Sequence, residues 1–283
     1  MSGGPMIGKS TLAAQLAEGI NDGQHQAVLL SLMDADTDAG FWSLTFEALI
    51  REGMGWDRKN PYRKNPASRP EFMSQIHHIA EKTSQQQKSK QVILLIDDCE
   101  RLLPQGEKRI AQIANMAMEL TSPSIHAICW IGGLRWEDWA QAHTEAFIVP
   151  LRFYPLSVVP IREARKIIQE QLGAEQVKTI WNATGGHPYL MELAFAEGNG
   201  MKIDALLKRI DAELRPEEDA LLAQIHPKGD WMVLDTLKDA QGHRPAKRLL
   251  DRLCMAGLIV RTLDQGTAVV RRTSPLLNQK VAR

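Results

Sequence analysis

Long apolar runs, cysteines and an excess of charge of either sign are all scarce in this 283-residue chain. An apolar run such as Val92 to Ile96 has the length of a strand and is far too short to cross a bilayer. No basic region followed by an apolar one opens the chain, so we expect no signal peptide. The three cysteines lie far apart, which indicates a cytoplasmic protein without a disulfide framework.

The net charge and the composition exclude few further classes of protein. Lysine plus arginine and aspartate plus glutamate both number 34, so the net charge does not indicate a nucleic-acid partner. With 44% hydrophobic and 24% charged residues, the composition is that of a soluble globular protein. The length suits one large domain or two to three small ones.

Apolar periodicity predicts strands that alternate with helices in the first 155 residues. The expected strands are 27–34, 91–98, 125–133 and 146–151, and the expected helices are 10–20, 41–50, 71–87, 107–120 and 135–142. Residues 57–70 hold three prolines and five basic side chains, which is typical of an exposed loop. The alternation predicts an α/β fold, with helices on both faces of a parallel sheet.

The pattern changes after residue 155. Residues 161–213 show only helical periodicity, interrupted by "TGGHP" at 184–188. Three more helices are expected at 216–225, 229–239 and 244–256, followed by two short strands joined by "DQG". This order is typical of a winged helix. We therefore expect a core at 1–155, a helical lid at 156–213 and a winged helix at 214–283.

The stretch "SGGPMIGKST" carries the first chemical motif. Gly3, Gly8, Lys9 and Ser10 fill the phosphate-loop pattern G-x-x-x-x-G-K-[ST]. Backbone N–H groups of such a loop point at phosphates, the lysine reaches the β- and γ-phosphates, and the serine hydroxyl binds Mg²⁺. The candidate nucleotide contacts are Gly3, Gly4, Ile7, Gly8, Lys9, Ser10 and Thr11. A chance match in a glycine-rich leader is the alternative.

The position of this loop raises a second expectation. Only Met1 and Ser2 precede Gly3, so the strand that normally anchors a phosphate loop is absent from the sequence. We expect four parallel strands with a gap where the first belongs, a mobile loop and weak nucleotide affinity.

Acidic residues follow the apolar run 92–96. Asp97 and Asp98 come directly after it, and Glu100 lies just beyond. Adjacent carboxylates repel each other unless a cation is near, and Mg²⁺ is that cation in nucleotide sites. Asp97 would hold the metal, and Asp98 or Glu100 would orient or deprotonate the attacking water. The alternative is an ordinary turn at the end of a strand.

Together, the phosphate loop, "VILLIDDCE", "PLSVVPIREA", "GGHP" and the C-terminal helices and strands resemble the STAND branch of the AAA+-like P-loop ATPases. The resemblance covers essentially the whole chain and implies a three-layer P-loop NTPase core, a lid, a winged helix, and ATP with Mg²⁺ as ligands. It implies that Pro188, in the turn Gly186–Pro188, packs on the adenine. It also implies that Arg135 is a sensor, although an exposed arginine at a helix start is equally compatible.

Three functions remain open on the sequence. The first is a nucleotide-dependent switch whose state is read by a homo-oligomer or an effector protein. The second is a DNA-directed ATPase of initiator or transposition type, and the third is an interaction module that binds ATP without hydrolysing it. For DNA, the candidate phosphate contacts lie on the third helix and the wing: Arg244, Lys247, Arg248, Arg252, Arg271 and Arg272.

Overall fold

The computed structural model describes most of the chain in two compact units. The described residues are 1–20, 24–33, 38–49, 66–85, 91–106, 108, 110–111, 125–144, 151–196, 203–226 and 230–274. The first unit comprises Met1–Ser2 and Lys9–Tyr154, and the second comprises Gly3–Gly8 and Pro155–Arg283. Residues Gly3–Gly8 of the phosphate-loop motif therefore group with the C-terminal half of the chain, whereas Lys9 and Ser10 belong to the first unit.

A parallel sheet forms the centre of the first unit. Its strands are β1 (His25–Ser31), β2 (Gln91–Asp97) and β3 (Ile125–Trp130), in the order β1-β2-β3. β2 pairs with β1 in register from Gln91 to Asp97, and Ile96 pairs with Trp130 of β3. β2 is the central strand and is almost wholly buried, which is why it reads as an unbroken apolar run.

Helices cover both faces of this sheet. α1 (Lys9–Gly19) packs on one face, where Ala13 meets Ala27, Leu95 and Ile131. The other face packs against α2 (Asp38–Ala48), α3 (Arg69–Gln85), the 3₁₀ segment Cys99–Gln105 and α4 (Leu134–Ala142). The side chains of β2 alternate between these two cores, as the pleat requires. The predicted α/β fold with a parallel sheet is confirmed.

The N-terminal residues lie beside the end of β3. Ser2 forms a parallel bridge with Gly132, and the Met1 amino group donates a hydrogen bond to the Trp130 carbonyl over 2.7 Å. The Gly132 N–H donates to the Met1 carbonyl over 3.2 Å, and the Ser2 N–H to the Tyr154 carbonyl over 3.1 Å. Met1 and Ser2 thus supply strand-like pairing there. Of the four expected strands, three are described, and residues 146–150 of the fourth lie outside the described residues.

Helices fill the first half of the second unit. They are α5 (Ile161–Leu172), the 3₁₀ segment Ala174–Gln176, α6 (Val177–Thr184), α7 (Pro188–Phe195) and α8 (Ile203–Glu213). Ala164 and Ile168 of α5 pack with Met191 of α7 in a buried cluster.

The second half of this unit contains an antiparallel sheet. Its elements are α9 (Pro216–Gln224), β4 (Met232–Val233), the 3₁₀ segment Leu234–Thr236, α10 (Lys247–Met255), β5 (Ile259–Asp264) and β6 (Thr267–Arg272). The strand order is β4-β6-β5. Gln265 and Gly266, with φ of 47° and 82°, form the turn between β5 and β6.

The helix predicted at 229–239 is wrong. Within the described part of that range, Met232 and Val233 pair with Val270 and Val269 of β6, and a 3₁₀ turn follows. The edge of β6 supplies backbone hydrogen-bond partners for Met232 and Val233, which the local sequence pattern does not indicate. Leu234 is buried, but it lies in a 3₁₀ turn and not in an α-helix. The predicted loop at 57–70 and helix at 107–120 fall largely outside the described residues. No helix in the described ranges is both long and apolar enough to span a membrane.

Candidate functional site

The acidic residues after β2 form a connected group in the first unit. Asp97 is 5% exposed, and its Oδ1 accepts a hydrogen bond from the Asp98 N–H over 2.9 Å. Asp98 Oδ2 accepts from the Ser31 hydroxyl, at the end of β1, over 2.8 Å. Because the strands are parallel, their carboxyl ends meet at one edge, which is where ligands bind in open α/β sheets.

The backbone of Asp98 is unusual for a residue with a side chain. Its φ of 60° and ψ of 37° place it in the left-handed region. Non-glycine residues occupy this region seldom, and aspartate is among those that do so most readily. The conformation turns the chain directly after the buried strand, so that Asp97 and Asp98 carry their carboxylates at the sheet edge.

Glu100 links β2 to the segment that follows β3. Its Oε2 accepts a hydrogen bond from the Gly133 N–H, one residue before α4, over 3.1 Å. Arg135 lies in the first turn of α4 and is exposed. Cys99, between the acidic residues, is fully buried, and its Sγ donates to the Ile96 carbonyl over 3.1 Å. Burial raises the pKa of the Cys99 thiol, so this cysteine is not poised as a nucleophile.

The cationic and hydroxyl residues of the phosphate-loop motif begin α1. Lys9 is half-buried, and Ser10 and Thr11 are exposed. The first N–H groups of a helix lack partners within the helix, and its dipole favours anions at this end. In the first unit, the motif therefore provides a helix start with a lysine and two hydroxyl groups.

The oxygen donors of this unit suit a hard cation. Asp97 Oδ2 has no hydrogen-bond partner in the part of the chain that the structure describes, and Ser10 presents its hydroxyl to solvent. Mg²⁺ takes one or two carboxylate or hydroxyl ligands and keeps several waters and phosphate oxygens. Among the described residues, no group of three or more histidine, cysteine, aspartate or glutamate side chains could hold a metal. A magnesium ion shared with phosphates fits this donor set, whereas an all-protein metal cage does not.

The loop residues Gly3–Gly8 contact the end of α10 in the second unit. The Gly4 N–H donates a hydrogen bond to the Met255 carbonyl over 2.7 Å. A Cβ at Gly4 would lie 2.4 Å from Ala256 Cα, and one at Gly3 would lie 2.8 Å from the Leu156 carbonyl oxygen. Glycine is therefore needed at both positions for close backbone approach. Sequence reasoning missed this contact, because nothing local to residues 255–257 indicates it.

The "GGHP" turn lies in the same unit. Gly185 and Gly186 have φ of 57° and 79°, and the half-buried Pro188 occupies the first position of α7. His187 is completely buried, and a Cβ at Gly257 would lie 2.7 Å from its ring and 3.0 Å from Ile7 Cδ1. Burial lowers the pKa of His187 to about 4, so the ring is neutral at physiological pH.

Three of the six proposed DNA contacts are buried, which corrects that prediction. Arg252, Arg271 and Arg272 are 6%, 4% and 2% exposed. Arg252 pairs with the buried Glu218, and Arg272 donates to the carbonyls of Ile225 and Leu222 over 2.8 and 3.0 Å. Their positions in an amphipathic helix and a short strand suggested solvent exposure. Internal acceptors bind Arg252 and Arg272 instead, and Arg271 is buried over the ring of Trp231.

The other three basic residues are exposed. Arg244 forms an ion pair with Asp235 over 2.9 Å, and Lys247 and Arg248 lie in the first turn of α10.

Comparison with known proteins shows the fold. No family model matches the sequence, and no curated protein matches it. The Walker-type ATPase paby2304 of Pyrococcus abyssi matches with a TM-score of 0.58 at 13% identity, over 100% of this chain and 90% of that chain. Cdc6p from Pyrobaculum aerophilum matches with a TM-score of 0.47 at 14% identity, over 99% and 84%. Drosophila ORC, in a structure bound to DNA, matches with 0.47 at 12% identity, over 99% and 88%. The first of these matches shows that the chain shares the fold of that Walker-type ATPase.

Proposed function

We propose that this protein is an ATP-binding and slowly hydrolysing P-loop NTPase that acts as a nucleotide-dependent regulatory switch. The contact between Gly4 and Met255 carries the proposal. The motif assigns the Gly4 N–H to a phosphate oxygen, but here it donates to a carbonyl at the end of α10. A phosphate oxygen and the Met255 carbonyl therefore compete for one donor. Nucleotide binding then favours the state in which the end of α10 has left the loop.

The residues of the first unit take the chemical roles in this proposal. Lys9 binds the β- and γ-phosphates as a point charge, and Ser10 and Asp97 would hold Mg²⁺. When bound, the ion neutralises the charge that develops on the phosphates during transfer. Asp98 orients the attacking water with the carboxylate oxygen that Ser31 does not occupy, and accepts its proton. Glu100 is held by Gly133 and supports this edge of the sheet.

The remaining assignments belong to the same proposal. Pro188 packs on the adenine, with Gly3, Gly4, Ile7, Gly8 and Thr11 around the phosphates, and Arg135 senses the γ-phosphate. The helices α5 to α8 act as the lid, and α9 to β6 as a winged helix that changes position with the nucleotide. A second copy of the chain or an effector protein reads the state.

Nucleotide binding by calorimetry tests the site. We expect Lys9→Ala to weaken Mg·ATP binding at least tenfold, because a charge-assisted contact to phosphate is lost. Lys208→Ala on the exposed face of α8 is the matched control and keeps the wild-type affinity. Equal affinity in the wild type and Lys9→Ala would overturn the assignment.

Phosphate release separates the switch from a module that only binds ATP. For the wild type we expect slow, Mg²⁺-dependent release, which Asp98→Asn reduces by one to two orders of magnitude, because the amide cannot accept the proton of water. If the wild type binds ATP but releases no phosphate, the protein is an interaction module that does not hydrolyse ATP.

A DNA-directed ATPase is the second candidate, and the exposed cluster of Arg244, Lys247 and Arg248 favours it. Exposed cations beside a helix start can neutralise phosphates and release counterions. If this candidate is correct, duplex binding weakens with salt, and Lys247→Glu with Arg248→Glu reduces the logarithmic salt slope by about 2. No duplex binding at low salt would eliminate it.

A further inference from the structure

A cavity of about 870 Å³ opens within the second unit. Its walls are formed by α5, the 3₁₀ segment Ala174–Gln176, α6 and residues of the antiparallel sheet region. The side chains that matter chemically are Arg165, Lys178, Trp181, Trp231 and Arg271. The volume lies in the range of pockets that bind small organic molecules, about 300–1,000 Å³. None of the lining residues belongs to the phosphate loop or to the acidic end of β2.

Arg271 is the unusual member of this wall. It is 4% exposed, and its Nε is buried without a hydrogen-bond partner in the described part of the chain. Its guanidinium carbon lies 5.1 Å from the ring centre of Trp231, a cation–π contact. A buried cation without an anion carries a desolvation cost that a ring face offsets only in part. Burial accordingly lowers the pKa of Arg271.

Arg272 shows how a buried arginine in the same strand finds acceptors. The next residue in β6 is equally buried, but it donates to two backbone carbonyls, Ile225 and Leu222. Arg271 has no such acceptor, although the carboxylates Glu175 and Asp230 also line the cavity. No described carboxylate lies within ion-pair distance of Arg271, so its guanidinium is available to an anion that enters the cavity.

The other residues that line the cavity indicate what the uncharged part of such a ligand would be. Trp231 is 46% exposed, and Trp181 is half-buried, so both offer flat apolar surface next to the charge. Arg165 and Lys178 are exposed cations at the same cavity. Aromatic walls beside a buried arginine suit a planar ring that bears an anionic group.

We propose that this cavity is a binding site for an aromatic organic anion, with its phosphate or carboxylate group on Arg271 and its ring against Trp231 and Trp181. The proposal is independent of the nucleotide site, because the two sets of residues do not overlap. It also gives Arg271 a role that DNA binding cannot, since a buried guanidinium does not reach a duplex.

Calorimetry with four simple probes tests the site on the full chain. Phenyl phosphate and benzoate combine the ring with each type of anion, whereas inorganic phosphate lacks the ring and phenyltrimethylammonium has the wrong charge. We expect phenyl phosphate or benzoate to bind at least tenfold more tightly than inorganic phosphate, and the cation not to bind. The stronger of the two aromatic anions identifies the preferred group.

Variants connect the binding to the cavity. Arg271→Met removes the charge but keeps an unbranched apolar stem, and we expect it to weaken aromatic-anion binding at least tenfold. Arg165→Gln, at the cavity, should weaken binding by a smaller factor, and Arg162→Gln, an exposed neighbour on α5 outside the lining, should not. If Arg271→Met does not fold, Trp231→Ala takes its place, because that side chain is exposed. Failure of both aromatic anions to bind, or wild-type affinity in Arg271→Met or in the Trp231→Ala variant that replaces it, would overturn the proposal.

Discussion

At the level of single residues, Arg252 and Glu218 form a charge pair that is buried on both sides. Their side chains are 7% and 0% exposed, and Glu218 also accepts a hydrogen bond from the Arg215 N–H over 2.9 Å. We expect Glu218→Leu to lower the free energy of unfolding by about 3–5 kcal/mol, because it removes the carboxylate that neutralises a buried guanidinium. Urea denaturation followed by circular dichroism measures the loss.

Two further variants separate this effect from simple loss of a contact. The double variant Glu218→Leu with Arg252→Met removes both charges, and we expect it to be more stable than Glu218→Leu alone. Asp235→Ala breaks the exposed pair with Arg244 and should cost about 1 kcal/mol or less. If Glu218→Leu costs no more than Asp235→Ala, the interpretation of the buried pair is wrong.

His187 makes stability depend on pH. Burial lowers its pKa from 6.5 to about 4, so the unfolded chain takes up a proton before the folded protein does. The stability due to neutral His187 is therefore complete above pH 6.5 and declines as the pH falls from 6.5 towards 4. The loss reaches at most about 3 kcal/mol at the acidic end.

Unfolding midpoints at several pH values test this expectation. The difference between wild type and His187→Gln should change between pH 6.5 and 4 and stay constant above pH 7. His243→Gln, which replaces an exposed histidine, is the control and should follow the wild type. A wild-type curve parallel to that of His187→Gln over this range would contradict the buried, neutral state.

Among the elements, the turn before α7 depends on glycine. Gly185 has φ of 57°, and a Cβ there would lie 2.1 Å from the Thr273 carbonyl oxygen. Gly242 has φ of 79° with nothing within 4 Å of its Cβ position. Gly242→Ala should cost about 1 kcal/mol from backbone strain alone, and Gly185→Ala clearly more, because the end of β6 must also move. Thermal unfolding compares the two, and equal midpoints would show that the contact with Thr273 relaxes freely.

An element could be predicted from the sequence where neighbouring residues alone determine its pattern. β2 and α1 were predictable, because a continuous apolar run indicates a buried strand and apolar residues three or four positions apart indicate a helix. β4 was not, since its pairing with β6 comes from residues about 37 positions apart. At the candidate site, Asp97 and Asp98 were found from their position after β2. The Ser31 hydroxyl and the Met255 carbonyl were missed, because tertiary folding alone brings them to their partners.

At the scale of the whole molecule, nucleotide binding should raise stability by mass action. At a free Mg·ATP concentration of 100 times the dissociation constant, the stabilisation is about 2.7 kcal/mol, provided that the unfolded chain does not bind. We expect the melting temperature to rise with Mg·ATP in the wild type and to rise less in Lys9→Ala at the same concentration, because tenfold weaker binding leaves a stabilisation of only about 1.4 kcal/mol. A rise of equal size in both would show that ATP acts elsewhere on the protein.

The grouping of Gly3–Gly8 with Pro155–Arg283 predicts where the molecule responds to that binding. The amides of Ala256, Gly257 and Leu258 are hydrogen-bonded to the carbonyls of Arg252, Cys254 and Leu253, and Met255 accepts from Gly4. If a phosphate takes the Gly4 N–H, the turn after α10 loses a contact, and its amides should exchange with solvent faster. Hydrogen exchange by mass spectrometry, with and without Mg·ATP, measures this for peptides that cover 253–258.

Peptides from the β5–β6 hairpin supply the internal reference for this experiment, because their ladder from Ile259 to Arg272 does not involve the loop. Their exchange should not change. At an Mg·ATP concentration near the dissociation constant of the wild type, Lys9→Ala should show a smaller change at 253–258 and none in the hairpin. Slower or unaltered exchange at 253–258 in ATP-bound wild type would mean that the phosphate and the Met255 carbonyl do not compete. The protein would then bind nucleotide without any change at α10. The proposal of a nucleotide-dependent switch would be wrong even if hydrolysis is observed.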